Sequence, residues 1–361
     1  MYLSHLSLEN FRSYPKKSLE FTPHVNLISG PNGSGKTNIL EAIYFLSTGK
    51  SFRASSSYQL LNWNQPYTIV NGQVGDELLE VQLSSNPGKS TLSRRFFIDQ
   101  VIKTRPKYLG ELKTVIFEPE DIRLVGGSPG RRRDFLDSVF TTTEWRYATA
   151  LAQYNRALKH RNELLDLIRT GLSQRSELFY WDQSLVKNSQ IIFDFRQKFF
   201  QSANSFFQNH ENDEVRTISL QYFPSIITPA KLEANYSLEL ARGYTSIGPH
   251  REDFQFNNSI FPAVDKNLAL WGSRGQQRLA VLALRLAQIN HLETTYKSAP
   301  ILLLDDIFSE LDLNHRRLVG HICHQYQTIF TSADENFDEY FPDFKPNIIK
   351  ITDLNLPPAQ T

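Results

Sequence analysis

Eight residues near the N-terminus, Gly30-Pro31-Asn32-Gly33-Ser34-Gly35-Lys36-Thr37, fit the pattern G-x-x-x-x-G-K-[ST], and the chemistry of that pattern is phosphate binding. Gly30, Gly33 and Gly35, with Asn32 among them, let backbone N–H groups curl around phosphate oxygens. Lys36 is spaced to reach the β- and γ-phosphates of a nucleotide, and the Thr37 hydroxyl to bind Mg²⁺. A second segment, Ile301-Leu302-Leu303-Leu304-Asp305-Asp306, closes an aliphatic run with two carboxylates. Asp305 is placed to hold Mg²⁺ through water and Asp306 to face an attacking water. A third, Ser273-Arg274-Gly275-Gln276-Gln277, has two readings. Ser273 and Gln276 form a capping box ahead of an apolar-periodic run; the same helix start, with Gly275 in its first turn, offers bare N–H groups and a positive dipole end to an anion.

Positioning these groups takes a strand, a helix and a parallel sheet. Leu19 to Ser29 reads as a strand and Thr37 to Leu46 as a helix, so phosphate would sit on a helix N-terminus. A continuous aliphatic run such as 301–304 is the mark of a buried parallel strand, and ligands of open α/β sheets bind beyond the carboxyl ends of such strands. Gln327 to Thr331 reads as the next strand.

The middle of the chain carries a different period. Tyr147, Leu151, Tyr154, Leu158, Arg161, Leu165, Ile168 and Leu172 follow 4-3 spacing, as do Leu178, Trp181, Leu185, Asn188, Ile192, Phe195, Phe199, Ser202 and Phe206. Two such seams joined by a turn at Thr170 to Ser176 predict an antiparallel helical hairpin with arms of roughly 40 Å. Folding it about the turn brings Arg161 level with Asn188, and a contact between these polar seam residues would fix the register. Beyond the hairpin, Glu214 to Phe223, Tyr236 to Leu240 and Asp253 to Phe256 read as strands, and His250 as a structural rather than a metal-binding histidine.

The chain has 361 residues, 40% hydrophobic and 21% charged, which allows two or three domains of ordinary soluble composition. One cysteine, Cys323, excludes an intramolecular disulfide and, with no signal-like N-terminus, points to a reducing cytoplasm. No apolar run approaches the ~20 residues of a membrane span. Net charge is +1, so any DNA contact must come from local patches. Lys89, Arg94, Arg95, Lys103, Arg105 and Lys107 form one such stretch, opposed mainly by Asp99, and Arg131 to Arg133 form another. A solvated strand face is the plain reading of the first.

In order and in sequence, the motifs resemble those of an ABC-type ATPase head of the SMC-like group and, within it, the RecF family. Leu6-Ser7-Leu8-Glu9-Asn10-Phe11-Arg12-Ser13-Tyr14 looks like that family's opening. Thr48-Gly49-Lys50-Ser51-Phe52-Arg53, Phe117 to Asp121, Gly127-Ser128-Pro129, Arg131 to Asp137, Gly248-Pro249-His250-Arg251-Glu252-Asp253 and Ser309-Glu310-Leu311-Asp312 resemble further segments, over about residues 1 to 335.

The resemblance implies an α/β fold. It is an ABC-type P-loop ATPase head with an inserted helical lobe containing a short antiparallel coiled-coil hairpin. The ATPase lobe would comprise 1–140 and 245–361, and the helical lobe 141–244. Lys36 and Thr37 would serve ATP and Mg²⁺, Asp305 would be the Walker B carboxylate, and Asp306 would stand where many ABC proteins place a catalytic glutamate. Ser273, Gly275 and Gln276 would complete the site on a second subunit, Asp312 would belong to the loop linking the two sites, and Arg12 and Arg53 would lie near the nucleotide.

Two features depart from the ABC pattern. Ser332-Ala333-Asp334 stands where a switch histidine is common, and Glu118 to Glu120 occupy the stretch of the Q-loop. With an aspartate at 306, these imply slow hydrolysis, because positioning of water carries much of the catalysis. The implied function is recombinational DNA repair by a cytoplasmic, ATP-dependent homodimer and weak DNA-dependent ATPase. It would bind gapped DNA at junctions of single and double strands, with RecR-like and RecO-like mediators as partners and no membrane. A soluble ATPase subunit of a transporter is the alternative; it would need a separate membrane subunit and show no salt-dependent DNA binding.

Overall fold

In the computed structural model, which describes residues 2–85, 92–261, 265–311, 313–333 and 345–351, the chain forms two units. One comprises 1–121 with 292–361, the other 122–291.

The first unit holds two sheets. Strands β1 (Leu3–Phe11), β2 (Tyr14–Glu20), β4 (Tyr67–Val74), β5 (Glu77–Ser85), β6 (Leu92–Ile98) and β7 (Val101–Lys103) form an antiparallel sheet in the order β2-β1-β4-β5-β6-β7. Burial alternates along β4 residue by residue, as a sheet with one covered face requires. The second sheet is parallel, ordered β13-β3-β12-β11-β8, from β3 (Val25–Ser29), β8 (Thr114–Phe117), β11 (Ile301–Asp305), β12 (Thr328–Ser332) and β13 (Asn347–Lys350). β3 and β12 are buried throughout and β11 up to Asp305, so these strands are covered on both faces, as the unbroken apolar run of β11 requires.

Helix α1 (Lys36–Thr48) packs against strands of both sheets. Ile39, Leu40, Ala42, Ile43, Phe45 and Leu46 are all fully buried, and a helix apolar all round must be enclosed in this way. Gln327 ties the sheets together: its amide accepts from the Leu3 N–H (2.8 Å) and donates to the Leu3 carbonyl (2.7 Å). Short helices α2 (Arg105–Tyr108) and α11 (Ile307–Glu310), with α12 (Leu313–Cys323), complete the described part of this unit. Cys323 is buried, and burial pushes its thiol up to about 12.

The second unit is built on the predicted hairpin, α5 (Trp145–Arg169) and α6 (Leu178–Gln208). Around it lie α3 (Arg123–Gly126), α4 (Pro129–Thr141), α7 (Asp213–Arg216), α8 (Pro229–Arg242), α9 (Leu268–Trp271) and the first part of α10 (Arg274–Tyr296). An antiparallel pair, β9 (Ile218–Phe223) and β10 (Asp253–Asn258), completes it. The buried seam on α5 runs through Tyr147, Ala150, Tyr154, Ala157, Arg161 and Leu165; the leucines at 151 and 158 are half-buried beside it.

Three expectations are corrected here. Tyr236 to Leu240 is helical, because Thr228 accepts from the Lys231 N–H, Pro229 opens the helix and Gly243 closes it at φ 74°. Those are start and stop signals that outweigh a short apolar run. Arg161 does not hydrogen-bond Asn188. It donates to Asp182 (2.6 Å), Glu239 (2.7 Å) and Thr245 (2.8 Å), while Asn188 donates back to the Ser184 carbonyl (2.8 Å). Third, the units part at 121/122 and 291/292 rather than at 140 and 245. Arg132 of α4 forks onto Asp253 of β10 (2.6 and 2.9 Å), and β10 pairs with β9 along its length, so α4 and the 245–291 stretch belong with the hairpin.

His250 is structural, as expected. Its Nδ1 accepts from the Tyr154 hydroxyl (2.6 Å) and its Nε2–H donates to the Thr245 carbonyl (3.1 Å). Burial, aided by the nearby Arg251 and Arg133 charges and resisted by the Thr245 carbonyl, lowers its pKa to about 4. The unfolded chain therefore binds a proton below about pH 6.5 that the folded unit refuses. Stability of this unit is complete above that pH and falls as pH drops from 6.5 to 4, by up to roughly 3 kcal/mol. Equilibrium unfolding across this range checks it, and His250→Asn should flatten the slope.

Candidate nucleotide site

The phosphate loop joins β3 to α1, with Gly35 in the left-handed region at φ 90°. A side chain at 35 would have its Cβ 2.7 Å from the Tyr14 hydroxyl and 3.0 Å from Ser13 Oγ; one at Gly30 would meet the Ile351 carbonyl at 2.4 Å. Both positions therefore exclude any larger residue. Lys36 donates to the Gly30 carbonyl (2.7 Å) and the Pro31 carbonyl (3.0 Å), folding its ammonium over the loop. Partial burial lowers the Lys36 pKa, opposed by the charges of Asp306 and then Asp305. Ser34 Oγ is buried with no hydrogen-bond partner, an unmet capacity inside the loop.

Asp305 ends β11 as the sequence predicts. Its Oδ1 accepts from the Thr37 hydroxyl and from the Thr331 hydroxyl of β12, both at 2.8 Å. One hydroxyl and one carboxylate oxygen suit a hard cation such as Mg²⁺, which takes few protein ligands and completes its shell with phosphate and water. Thr37 and Asp305 are thus the residues able to hold it. Asp306 is exposed at φ 48°, with its N–H on Thr331 Oγ1 (3.0 Å). An aspartate tolerates that conformation better than most residues.

The opening motif supports this loop. Phe11 pairs with Tyr14 across a two-residue turn, and Arg12 takes φ 52° within it. Tyr14 donates to the Ser34 carbonyl (3.3 Å), and Asn38 donates to Ser13 Oγ (2.7 Å). Arg12 forks onto Glu41 (2.6 and 2.8 Å). Arg53 reaches the same carboxylate at 3.0 Å and also bonds Asn38. Glu41 is fully buried. Burial raises its pKa, but hydrogen bonds from Arg12 and Ser51 and the charge of Arg53 outweigh burial and hold it below the ordinary carboxylate range.

Arg12 and Arg53 therefore sit on the first turns of α1, gathered by a glutamate that the motif reading did not single out. Its one signal was a charge inside the apolar stretch Ile39-Leu40-Glu41-Ala42-Ile43. Thr331 was likewise missed; it lies within the short strand β12 and carries no motif.

Ser273, Gly275 and Gln276 lie in the second unit, at the start of α10, where the capping box is formed. The Ser273 N–H donates to Gln276 Oε1 (2.9 Å) and the Gln276 N–H to Ser273 Oγ (3.3 Å). Asp312 and Asp334 lie outside the described residues.

The family model for the RecF/RecN/SMC N terminal domain matches residues 2–341. The DNA replication and repair protein RecF of Leptospira interrogans serogroup Icterohaemorrhagiae serovar Lai is 33% identical over 358 residues, which cover 96% of this chain and 95% of that protein. Two solved structures of the recombination mediator protein RecF in the RecFOR pathway are each 29% identical. RecF-ATPrS has a TM-score of 0.82 over 97% of this chain and 95% of its own, and RecF-ATP one of 0.77 over 93% and 94%. With a phosphate loop under a parallel sheet and an inserted helical hairpin, this ABC-type ATPase head belongs to the RecF family of the SMC-like group.

Proposed function

We propose that this chain is an ATP-switched, DNA-binding protein of replication and recombinational repair. It closes as a homodimer around bound nucleotide and holds gapped DNA at a junction of single and double strands. The observation that carries the reading is the Asp305 carboxylate shared by the Thr37 and Thr331 hydroxyls, with Thr37 directly following the loop lysine Lys36, whose ammonium is folded over the loop. The related RecF structures with ATP and ATPrS support nucleotide as the ligand. Bound at Thr37 and Asp305, Mg²⁺ would neutralise charge on the β- and γ-phosphates. Lys36 binds phosphate, while Arg12 and Arg53, locked on Glu41, fix the side of the loop. Asp306 is too short and too exposed to hold water as firmly as a glutamate would, so the chain is a weak, DNA-dependent ATPase in which hydrolysis releases a switch.

Completion of each site by Ser273, Gly275 and Gln276 of a second copy is supported by what surrounds them. A Cβ on Gly275 would meet only Ser273 Oγ, at 3.9 Å, so nothing among the described residues requires glycine in that first turn. Leu270 and Trp271, just before it, are 68% and 61% exposed, an apolar surface suited to a partner. RecR-like and RecO-like proteins complete the proposed set of partners, a reading supported by relatives described as recombination mediators in the RecFOR pathway.

The test is the solution mass with and without Mg-ATP, with and without gapped duplex, for the parent and Ser273→Arg. Loss of the cap costs only about 1 kcal/mol, so the variant stays folded. It is expected to bind ATP within about twofold of the parent yet remain monomeric. An ATP-driven dimer of Ser273→Arg would overturn the shared site.

A further inference from the structure

The antiparallel sheet of the first unit ends on a charge arrangement that the nucleotide site does not use. β6 pairs with β7 through Phe96↔Lys103, Phe97↔Ile102 and Ile98↔Val101; two residues beyond the Phe96↔Lys103 end of that ladder stand Arg94 on β6 and Arg105 at the start of α2, close enough for their charges to act on each other. Arg94 alternates with Phe96 and Ile98, the two buried residues of β6, so Arg94 and Lys103 share the inward face rather than the solvated one that sequence alone suggested, and Arg105 beside them is half-buried. Arg94 donates to Ser57 Oγ (3.1 Å) and lies 5.9 Å from the Phe45 ring. Neither arginine forms an ion pair among the described residues, and Arg94 Nε and Arg105 Nη2 are buried with no partner at all.

Like charges held close together are destabilising, and a buried guanidinium without an anion more so. Burial lowers the pKa of both groups, and the Arg105 charge lowers that of Arg94 further. The same spot is built around the pair. Gly49, the C-cap of α1 at φ 67°, would with a Cβ come within 2.6 Å of Phe96 and 3.3 Å of Arg94 Cδ. Both residues are half-buried rather than fully enclosed, as a site that must admit an anion requires.

We infer that Arg94 and Arg105 form a second phosphate site, separate from the nucleotide, that takes the backbone phosphates of a polynucleotide. This rests on the DNA-binding reading above and deepens it by naming where backbone charge is met. Nucleotide at the phosphate loop cannot supply this anion. Gly49 lies at the far end of the 13-residue α1, about 20 Å from Lys36. A single free phosphate would answer the pair alone. Lys103 on the same face, and Arg95 and Lys107 exposed on either flank, extend the row along the edge strand β7, as suits a polyanion with one charge per ~1.7 Å of duplex.

The experiment compares the parent with Arg94→Gln and Arg105→Gln by fluorescence polarisation, using a short labelled duplex with Mg-ATP across a salt series. ATP affinity and thermal unfolding are measured alongside. Each variant is expected to bind duplex roughly tenfold more weakly at moderate salt, with the slope of log affinity against log salt shallower by about 0.9 for each lost contact. ATP affinity should be unchanged. Arg105→Gln should melt no lower than the parent, since it relieves a close pair of like charges.

Parent protein that binds no duplex would defeat the functional reading itself. Parent that binds, with variants of equal affinity and slope, would overturn this site alone. Inorganic phosphate forms a separate arm: if it raises the melting temperature of the parent as much as duplex does, and the variants lose that response without losing duplex, the site serves a free anion and the polynucleotide assignment fails.

Discussion

Lys36→Met is expected to abolish ATP binding, lowering affinity by at least about a hundredfold, while leaving the fold intact. Lys36 is 91% buried by accessible area, since only 9% of it is exposed, yet its contacts are two carbonyls of the loop itself, Gly30 and Pro31. Methionine keeps the apolar stem and removes three donors and a charge. The stability cost is modest, about 1.5–3 kcal/mol for hydrogen bonds from a charged group, because Pro31 is exposed and water can replace the ammonium there. The ligand cost is large, because among the described residues the ammonium is the one cation bonded to the loop carbonyls, and a phosphate chain there would lose its point charge. Titration with a fluorescent ATP analogue and a parallel melt separate the two costs. Retained affinity, within tenfold of the parent, would mean that the loop amides alone hold the nucleotide and that the lysine is a structural staple.

What the sequence revealed of this site followed the range of the interactions. The phosphate loop is legible because its glycines, lysine and threonine act within eight neighbouring residues. Asp305 is legible because an aliphatic strand ending in a carboxylate is a local pattern. Glu41, Thr331 and Gln327 were not, because each is explained only by a partner far away: Arg12 and Arg53, Asp305, and the backbone of Leu3. The hairpin emerged from its period, but the residue facing Arg161 did not. A seam gives the register of apolar neighbours, whereas a buried arginine takes whichever carboxylates the rest of the fold delivers, here Asp182 and Glu239. The lobe edges failed for the same reason, since the ion pair joining Arg132 to Asp253 spans 121 residues.

Arg196 is the clearest case, and its removal should have the largest effect on stability. It lies on α6 at a position outside the predicted seam, 1% exposed. It donates to Glu252 (2.6 Å), Asp137 (2.7 Å), the Tyr147 hydroxyl (3.0 Å) and the Pro249 carbonyl (3.2 Å). Burial alone would lower its pKa, but Tyr147, Asp137 and Glu252 raise it well above the ordinary value, so the guanidinium is held charged. Glu252, also 1% exposed, accepts in addition from the Tyr222 hydroxyl (2.6 Å) and the Ser225 N–H (3.2 Å).

Arg196→Met leaves that carboxylate buried without its cation. The cost is about 3–5 kcal/mol, which for a unit of this size lowers the melting temperature by about 10 °C. The companion change Glu252→Gln removes the orphaned charge, so the double variant should recover a large part of the loss, with a coupling of about 2 kcal/mol in the cycle. Simple additivity would mean that water reaches Glu252 when the arginine is gone, and that the segment Gly248 to Asp253 is held to the hairpin by packing rather than by charge.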